Sequence, residues 1–290
     1  MIWSLIILAA AVAGAARLAA GRRAERAYTA LRPPASDGVV SGAEGFTLSA
    51  PGERALLLLH GSGDTPQTLR YLGGRLHSEG FTVRAPLLPG HGRGLRDFAA
   101  ATADDYARAA RAELDALLAQ YSWVGIVGLS MGGALGARLT AERPEVRVLV
   151  LLAPYLTPPP SVTLVGRLAP AWSLAVPYLS GRGGDESVHD PVAREGSYAY
   201  GIFPPAALRA LCATAAAGRR ALSSITVPTL VVNSREDNRI PAARAEKATA
   251  TLRGPTERQW VAGCGHVITV DYCRDAVASL VSDFLARHID

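Results

Sequence analysis

The residue that most directly suggests chemistry is Ser130, in Gly128-Leu129-Ser130-Met131-Gly132, a G-x-S-x-G turn. A serine hydroxyl is a poor nucleophile until it is held clear of the backbone at the mouth of a site, beside a base. The surroundings fit that need. Trp123 to Leu129 reads as a short apolar strand, and residues 134–141 have the composition of a helix. The flanking glycines remove side chains that would clash in so tight a turn, and Gly133 extends that clearance. With 29 glycines in 290 residues, the bare pattern arises by chance in on the order of one such chain in ten. The rest of the chain must decide.

A serine at such an elbow needs a base, and the base needs an acid to hold its tautomer and offset its charge. Downstream histidines are His189, His266 and His288. His189 falls in an irregular stretch and His288 near the end of the chain. His266 follows a strand in Gly263-Cys264-Gly265-His266, where glycines can present an imidazole at the strand end, so it is the expected base. Glu236 and Asp237 both follow the strand at 229–233. Asp237 is preferred, because one turn after Asn233-Ser234 points it back over the strand end. Asp271 and Asp275 lie further on, where a surface or helix-capping role is expected. Oxyanion donors are expected from the backbone N–H groups of Met131, just after the nucleophile, and Ser62, in the turn after His60-Gly61. His60 and His91 read as loop-ordering residues.

These residues need elements to hold them. Apolar runs at 55–59, 81–87, 123–129, 146–153, 229–233 and 258–262 read as strands, several of the continuous kind buried on both faces. Helical patterns lie at 67–78, 102–120, 242–252 and 271–288. On the helix at 102–120, Tyr106, Ala110, Leu114, Leu117 and Leu118 share one side. Strand and helix alternation calls for a parallel sheet with helices on both faces and ligands beyond the C-terminal strand ends. Residues 155–224 break the rhythm with Pro158 to Pro160, Gly181 to Gly184 and Phe203-Pro204-Pro205. Such a long excursion between sheet strands reads as a lid or an interaction surface.

Hydrophobic residues make up 49% and charged residues 19%, which excludes a disordered chain. The net charge of +5 does not point to nucleic acid, because the arginines are scattered and not interleaved with aromatics. Cys212, Cys264 and Cys273 are odd in number and irregular in spacing, so they read as ordinary thiols, with neither a disulfide framework nor a zinc site. No metal or cofactor is expected.

Residues 2–20 are almost wholly apolar, and about 19 helical residues reach close to the ~30 Å hydrocarbon thickness. Residues 1–21 are therefore expected to form a membrane anchor, with 22–45 a linker and the folded domain over 46–290. Arg17, Arg22, Arg23 and Arg26 follow the apolar run, which puts the body of the protein on the cytoplasmic side. Export after signal cleavage is the alternative.

From about Ala55 onward the chain resembles the α/β-hydrolases, in particular their carboxylesterase and monoacylglycerol-lipase-like branch. The matching pieces are Leu58-Leu59-His60-Gly61, Thr65-Pro66-Gln67, Leu88-Pro89-Gly90-His91-Gly92, Gly128 to Gly133, Val227-Pro228-Thr229-Leu230, Asp237 and Gly265-His266-Val267-Ile268-Thr269. The resemblance implies an eight-stranded, mostly parallel sheet, a cap inserted after the sixth strand, and a Ser130–Asp237–His266 triad acting on a small-molecule ester or lipid. A thioesterase, peptidase or acyltransferase would use the same groups, and a binding protein could keep the fold without turnover. Ser62 departs from the pattern, since the branch often has an aromatic residue there.

Overall fold

The computed structural model describes residues 2–180 and 184–289, with the side chains of 2–10, 184 and 185 left aside. The main sheet is built from β1 (Phe46–Leu48), β2 (Arg54–Leu59), β3 (Thr82–Ala85), β4 (Trp123–Leu129), β5 (Val146–Leu152), β8 (Thr229–Ser234) and β9 (Thr256–Val261), in spatial order β1-β3-β2-β4-β5-β8-β9. Only β1, at one edge, runs antiparallel. Among the described residues this sheet has seven strands, one fewer than the resemblance implies. The sheet begins at the edge strand β1. There the chain before β1 turns at Gly38 and Gly42, both at positive φ, and makes only an isolated bridge, Pro34 to Val40.

Alternation along the strands divides the core into two layers. In β2, Ala55, Leu57 and Leu59 face one layer while Leu56 and Leu58 face the other, all fully buried. Side chains of a strand alternate between faces, so an apolar run of this kind must be covered on both sides. One layer is closed by α4 (Ala103–Leu118), α5 (Met131–Glu142) and α10 (Ala242–Ala248), the other by α2 (Arg70–Ser78) and α11 (Arg274–Ala286). Tyr106, Ala110, Leu114 and Leu117 form the buried side of α4, and Thr102 with Asp105 makes a reciprocal capping box at its start.

Between β5 and β8 lies the cap. It contains α6 (Pro160–Trp172), β6 (Leu179–Ser180), α7 (Gly184–Ser187), α8 (Pro191–Glu195), β7 (Ile202–Phe203) and α9 (Pro205–Ala221). Residues 181–183 of the expected glycine-rich turn lie outside the described residues. Helix α9 ties the cap to the body: a Cβ on Gly218 would stand 2.4 Å from the Ala134 carbonyl of α5, so only glycine allows that approach.

Helix α1 (Ile2–Leu31) runs without a break through the expected boundary at 21. Its second half leans on the body and cap. Arg17 Nε donates to Ser173 O at 2.6 Å, Glu25 pairs with Arg96 of α3 (Leu95–Ala100), and Tyr28 stacks on Tyr200, which stacks on Phe98. The side chains of the first half of the expected anchor lie outside the described residues, and among the described residues no helix is long and apolar enough to cross a membrane. The expectation of a spanning anchor over 2–20 is therefore not supported.

Candidate active site

Strand β4 delivers Ser130 in a strained conformation, φ 55° and ψ −114°, directly before α5. Non-glycine residues at such angles cost roughly 1–3 kcal/mol and persist only where the surroundings over-determine them. Here they do. Ser130 N–H donates to Leu152 O, and Ser130 O accepts from the N–H groups of Gly133 and Tyr155. A Cβ on Gly132 would lie 2.0 Å from Leu59 O, and one on Gly128 would lie 2.3 Å from Gly132 O. The two glycines therefore permit both the turn and the close seating of α5 against β2.

Three loops converge beyond the C-terminal strand ends. His266 Nε2 is 2.8 Å from Ser130 Oγ, and its Nδ1 is 2.8 Å from Asp237 Oδ2. The other Asp237 oxygen accepts from the N–H groups of Arg239 at 2.7 Å and Ile240 at 2.8 Å. A carboxylate cannot donate, so Asp237 fixes Nδ1 as the protonated nitrogen and leaves Nε2 as an acceptor toward the serine hydroxyl. Burial alone pushes the Asp237 carboxyl up, but His266 and the two backbone donors outweigh it and hold it below the usual carboxylate range.

Glu236, the rival acid, points elsewhere. It accepts from Gly263 N–H at 3.1 Å and from Ser234 Oγ, stapling the acid loop to the base loop. Met131 is the first residue of α5, where the N–H has no intrahelical acceptor. Ser62 lies in the turn after β2, which passes close to the elbow: a Cβ on Gly61 would lie 3.4 Å from Ser130 Cβ.

His60 and His91 order loops. Leu88 N–H donates to His60 Nε2 at 3.1 Å, so His60 Nδ1 carries the proton and donates to Gly61 O at 2.8 Å. Burial first, and His91 second, keep His60 neutral, its pKa well below the usual imidazole value. His91, also buried, is pushed down to about 4.

Over Ser130 opens a cavity of about 440 Å³. Its walls are mostly apolar, with Val162, Val165, Leu208 and Leu211 from the cap, while Asp64, Arg194 and Arg239 add charged groups. Asp64 is fully desolvated, which raises its carboxyl to about 6 despite hydrogen bonds from Thr65 and Thr68.

Two features were not legible in the sequence. Cys264 and Cys273 are not free thiols: the turn carrying His266 brings their Cα atoms to 5.8 Å and they form a disulfide, leaving Cys212 as a half-buried thiol. Asp271 is not a surface or capping residue. It is fully buried, and its carboxylate accepts four backbone N–H groups, from His189, Asp190, Gly265 and Tyr272, at 2.7–2.9 Å. No sequence signal marks it, because its donors come from the cap and from the base loop. Among the described residues no group of His, Cys, Asp and Glu is arranged to hold a metal.

Comparison with known proteins agrees with this architecture. The chain is similar to the thermostable monoacylglycerol lipase of Bacillus sp. (strain H-257), with 29% identity over 252 residues, 86% of this chain and 97% of the relative. It is 28% identical to a carboxylesterase of Bacillus subtilis (strain 168) over 238 residues, 81% of this chain and 94% of that one. A solved structure from work on the metagenome-derived lipolytic enzymes LipS and LipT superposes with a TM-score of 0.79 at 26% identity, covering 86% of this chain and all of the other. The profile of the alpha/beta hydrolase family matches residues 56–280, and the chain belongs to that family.

Proposed function

We propose that this protein is a serine hydrolase that cleaves carboxylic esters through an acyl-enzyme intermediate. The observation that carries the reading is the continuous relay Ser130 Oγ, His266 and Asp237, with both hydrogen bonds at 2.8 Å, at the floor of an apolar cavity.

In the reaction, His266 Nε2 takes the proton from Ser130 as Oγ attacks the ester carbonyl carbon. The backbone N–H groups of Met131 and Ser62 hold the oxyanion; one such donor typically contributes about 3 kcal/mol of transition-state stabilisation. As the tetrahedral intermediate collapses, the C–O bond to the alcohol breaks and His266 hands its proton to the leaving oxygen. Water, deprotonated by the same imidazole, then attacks the acyl-enzyme and releases the acid.

The names of the two bacterial relatives and the apolar cavity wall support an ester with a short or medium acyl group, a monoacylglycerol among them. The Cys264–Cys273 bridge favours an oxidising compartment, the exported alternative, over the cytoplasmic side.

Purified protein assayed on matched ester, thioester and peptide panels, with the ester acyl chain lengthened stepwise, tests the reading. Esters are expected to turn over fastest, with an optimum at a chain length that fills the cavity. Faster thioester or peptide cleavage would reassign the leaving group, and no turnover on any panel would favour a binding protein.

A further inference from the structure

We propose that Asp271 is a positioning residue for His266, a strut between the base loop and the cap, and that the Cys264–Cys273 disulfide holds the strut, making turnover sensitive to reduction. This inference rests on the triad reading above.

The argument starts from a loop with little regular structure. His266 lies between β9 and α11 in a stretch rich in glycine, which by itself has wide conformational freedom. An imidazole displaced by about 1 Å can lose roughly a hundred-fold in rate, so something must fix this loop. Asp271 Oδ2 accepts Gly265 N–H at 2.7 Å, immediately before the catalytic base, and also His189 N–H from the cap at 2.8 Å. Its Oδ1 accepts Asp190 N–H and Tyr272 N–H, each at 2.9 Å. One carboxylate therefore joins three pieces of chain, with charge-assisted bonds that are among the stronger kinds.

The cap segment it grips touches both catalytic loops. Val267 N–H donates to Ser187 O at 2.9 Å on the base side, and Arg239 Nε donates to Ser187 Oγ at 3.0 Å on the acid side. A Cβ on Gly265 would come within 2.5 Å of Glu186 O, so the base loop and this segment are in direct backbone contact.

The disulfide closes the same loop. Cys264 precedes His266 by two residues, Cys273 follows Asp271 by two, and both are buried. Without the bridge, the 2.7 Å hydrogen bond between Gly265 and Asp271 is backed only by the turn over residues 266–270.

The test compares oxidised and reduced native protein. Dithiothreitol delivers two electrons and two protons, converting the bridge to two thiols as it closes to its own cyclic disulfide; alkylation and mass spectrometry verify the count. Labelling of Ser130 by a fluorophosphonate and turnover of p-nitrophenyl butyrate are then followed at a temperature where circular dichroism shows both forms folded. Reduction is expected to lower kcat and the labelling rate roughly ten-fold or more, with KM within about two-fold, and reoxidation to restore both.

Asp271→Asn, which turns an amide N–H₂ toward backbone N–H donors, is expected to act in the same direction and to shift or broaden the low-field proton resonance of His266 Nδ1–H. If the buried bridge resists reductant, Cys273→Ala carries the comparison; if Asp271→Asn does not fold, the reduced native protein decides. Equal labelling and kcat in oxidised and reduced folded protein overturn the strut. No labelling of the oxidised wild type would instead contradict the triad reading, which separates the two failures.

Discussion

The inner edge of the cap and its outer arm are built on opposite plans. The segment Ser187 to Asp190 is mostly backbone-bonded to the loops that carry His266 and Asp237, and Ser187 and Val188 are buried. The outer arm, α6 and the chain after it, carries exposed apolar side chains instead, with Leu164 at 56%, Leu168 at 53% and Leu174 at 76% exposure. Its Val162 and Val165 line the cavity over Ser130. The contrast teaches that this cap does two jobs. Its inner edge braces the loops that carry His266 and Asp237, and its outer arm lines the apolar cavity over Ser130, where the proposed reaction would place an acyl group. Motion of the cap is therefore expected in the outer arm and not at the edge that touches the chemistry.

Substitutions along this contrast should fall in a definite order. The largest effect belongs to the framework itself: His266→Ala should lower kcat/KM on p-nitrophenyl butyrate by roughly 10⁴-fold or more, with the fold unchanged by circular dichroism. A loss under ten-fold would mean that the framework side is not where the chemistry occurs. Next comes the seat of the nucleophile. Gly132→Ala places a methyl group 2.0 Å from the Leu59 carbonyl, a backbone atom that cannot step aside, and should cost about 3 kcal/mol or more in a denaturant melt.

Asp64, on the loop facing the cap, should show a smaller effect with a distinct pH signature. Its folded pKa of about 6 lies above the ordinary value of 3.8, so the folded state binds its proton more tightly and stability falls as pH rises from about 4 to 6. Asp64→Asn removes that burden. It should raise stability by roughly 3 kcal/mol at pH 7 and change it little at pH 3.5. The same gain at both pH values would contradict the assignment.

The smallest effect belongs to the outer arm. Leu168→Ser should leave stability within about 0.5 kcal/mol and the rate on acetate esters within two-fold, while raising KM for long-chain esters. A framework-sized loss from Leu168→Ser would erase the distinction between the two parts of the cap.

What the amino-acid order reveals, and what it hides, follows the same divide. The apolar runs of β2, β4, β5 and β8 are legible because a strand buried on both faces carries few polar side chains. Ser130 and Asp237 stand in the loops after two such runs, β4 and β8, and His266 in the loop after the more polar edge strand β9, so a parallel sheet gathers all three at one end by topology. The seven-strand count was less legible, since only the turns at Gly38 and Gly42 separate a linker from an edge strand.

The pieces that hold the site were hidden because their partners are distant or their spacing is uninformative. The nine-residue interval between Cys264 and Cys273 looks irregular until the turn between them is folded. Asp271, three residues before α11, looks like a helix cap, yet two of its donors sit in the cap more than 80 positions earlier. The segment around Ser187 has no periodicity to read. At the N-terminus, apolar composition over 2–20 suggested a bilayer, and nothing in the residue order signalled that Glu25 and Tyr28, just beyond that run, bind the second half of α1 to the protein itself.

The central claim, that Ser130 is the activated nucleophile, is tested most directly by intact-mass measurement after brief exposure to a fluorophosphonate. The wild-type chain should gain the mass of one phosphonyl adduct, and Ser130→Ala, equally folded, should gain none. An adduct of the same stoichiometry on Ser130→Ala, or a wild-type protein that stays unmodified while folded, would contradict the account.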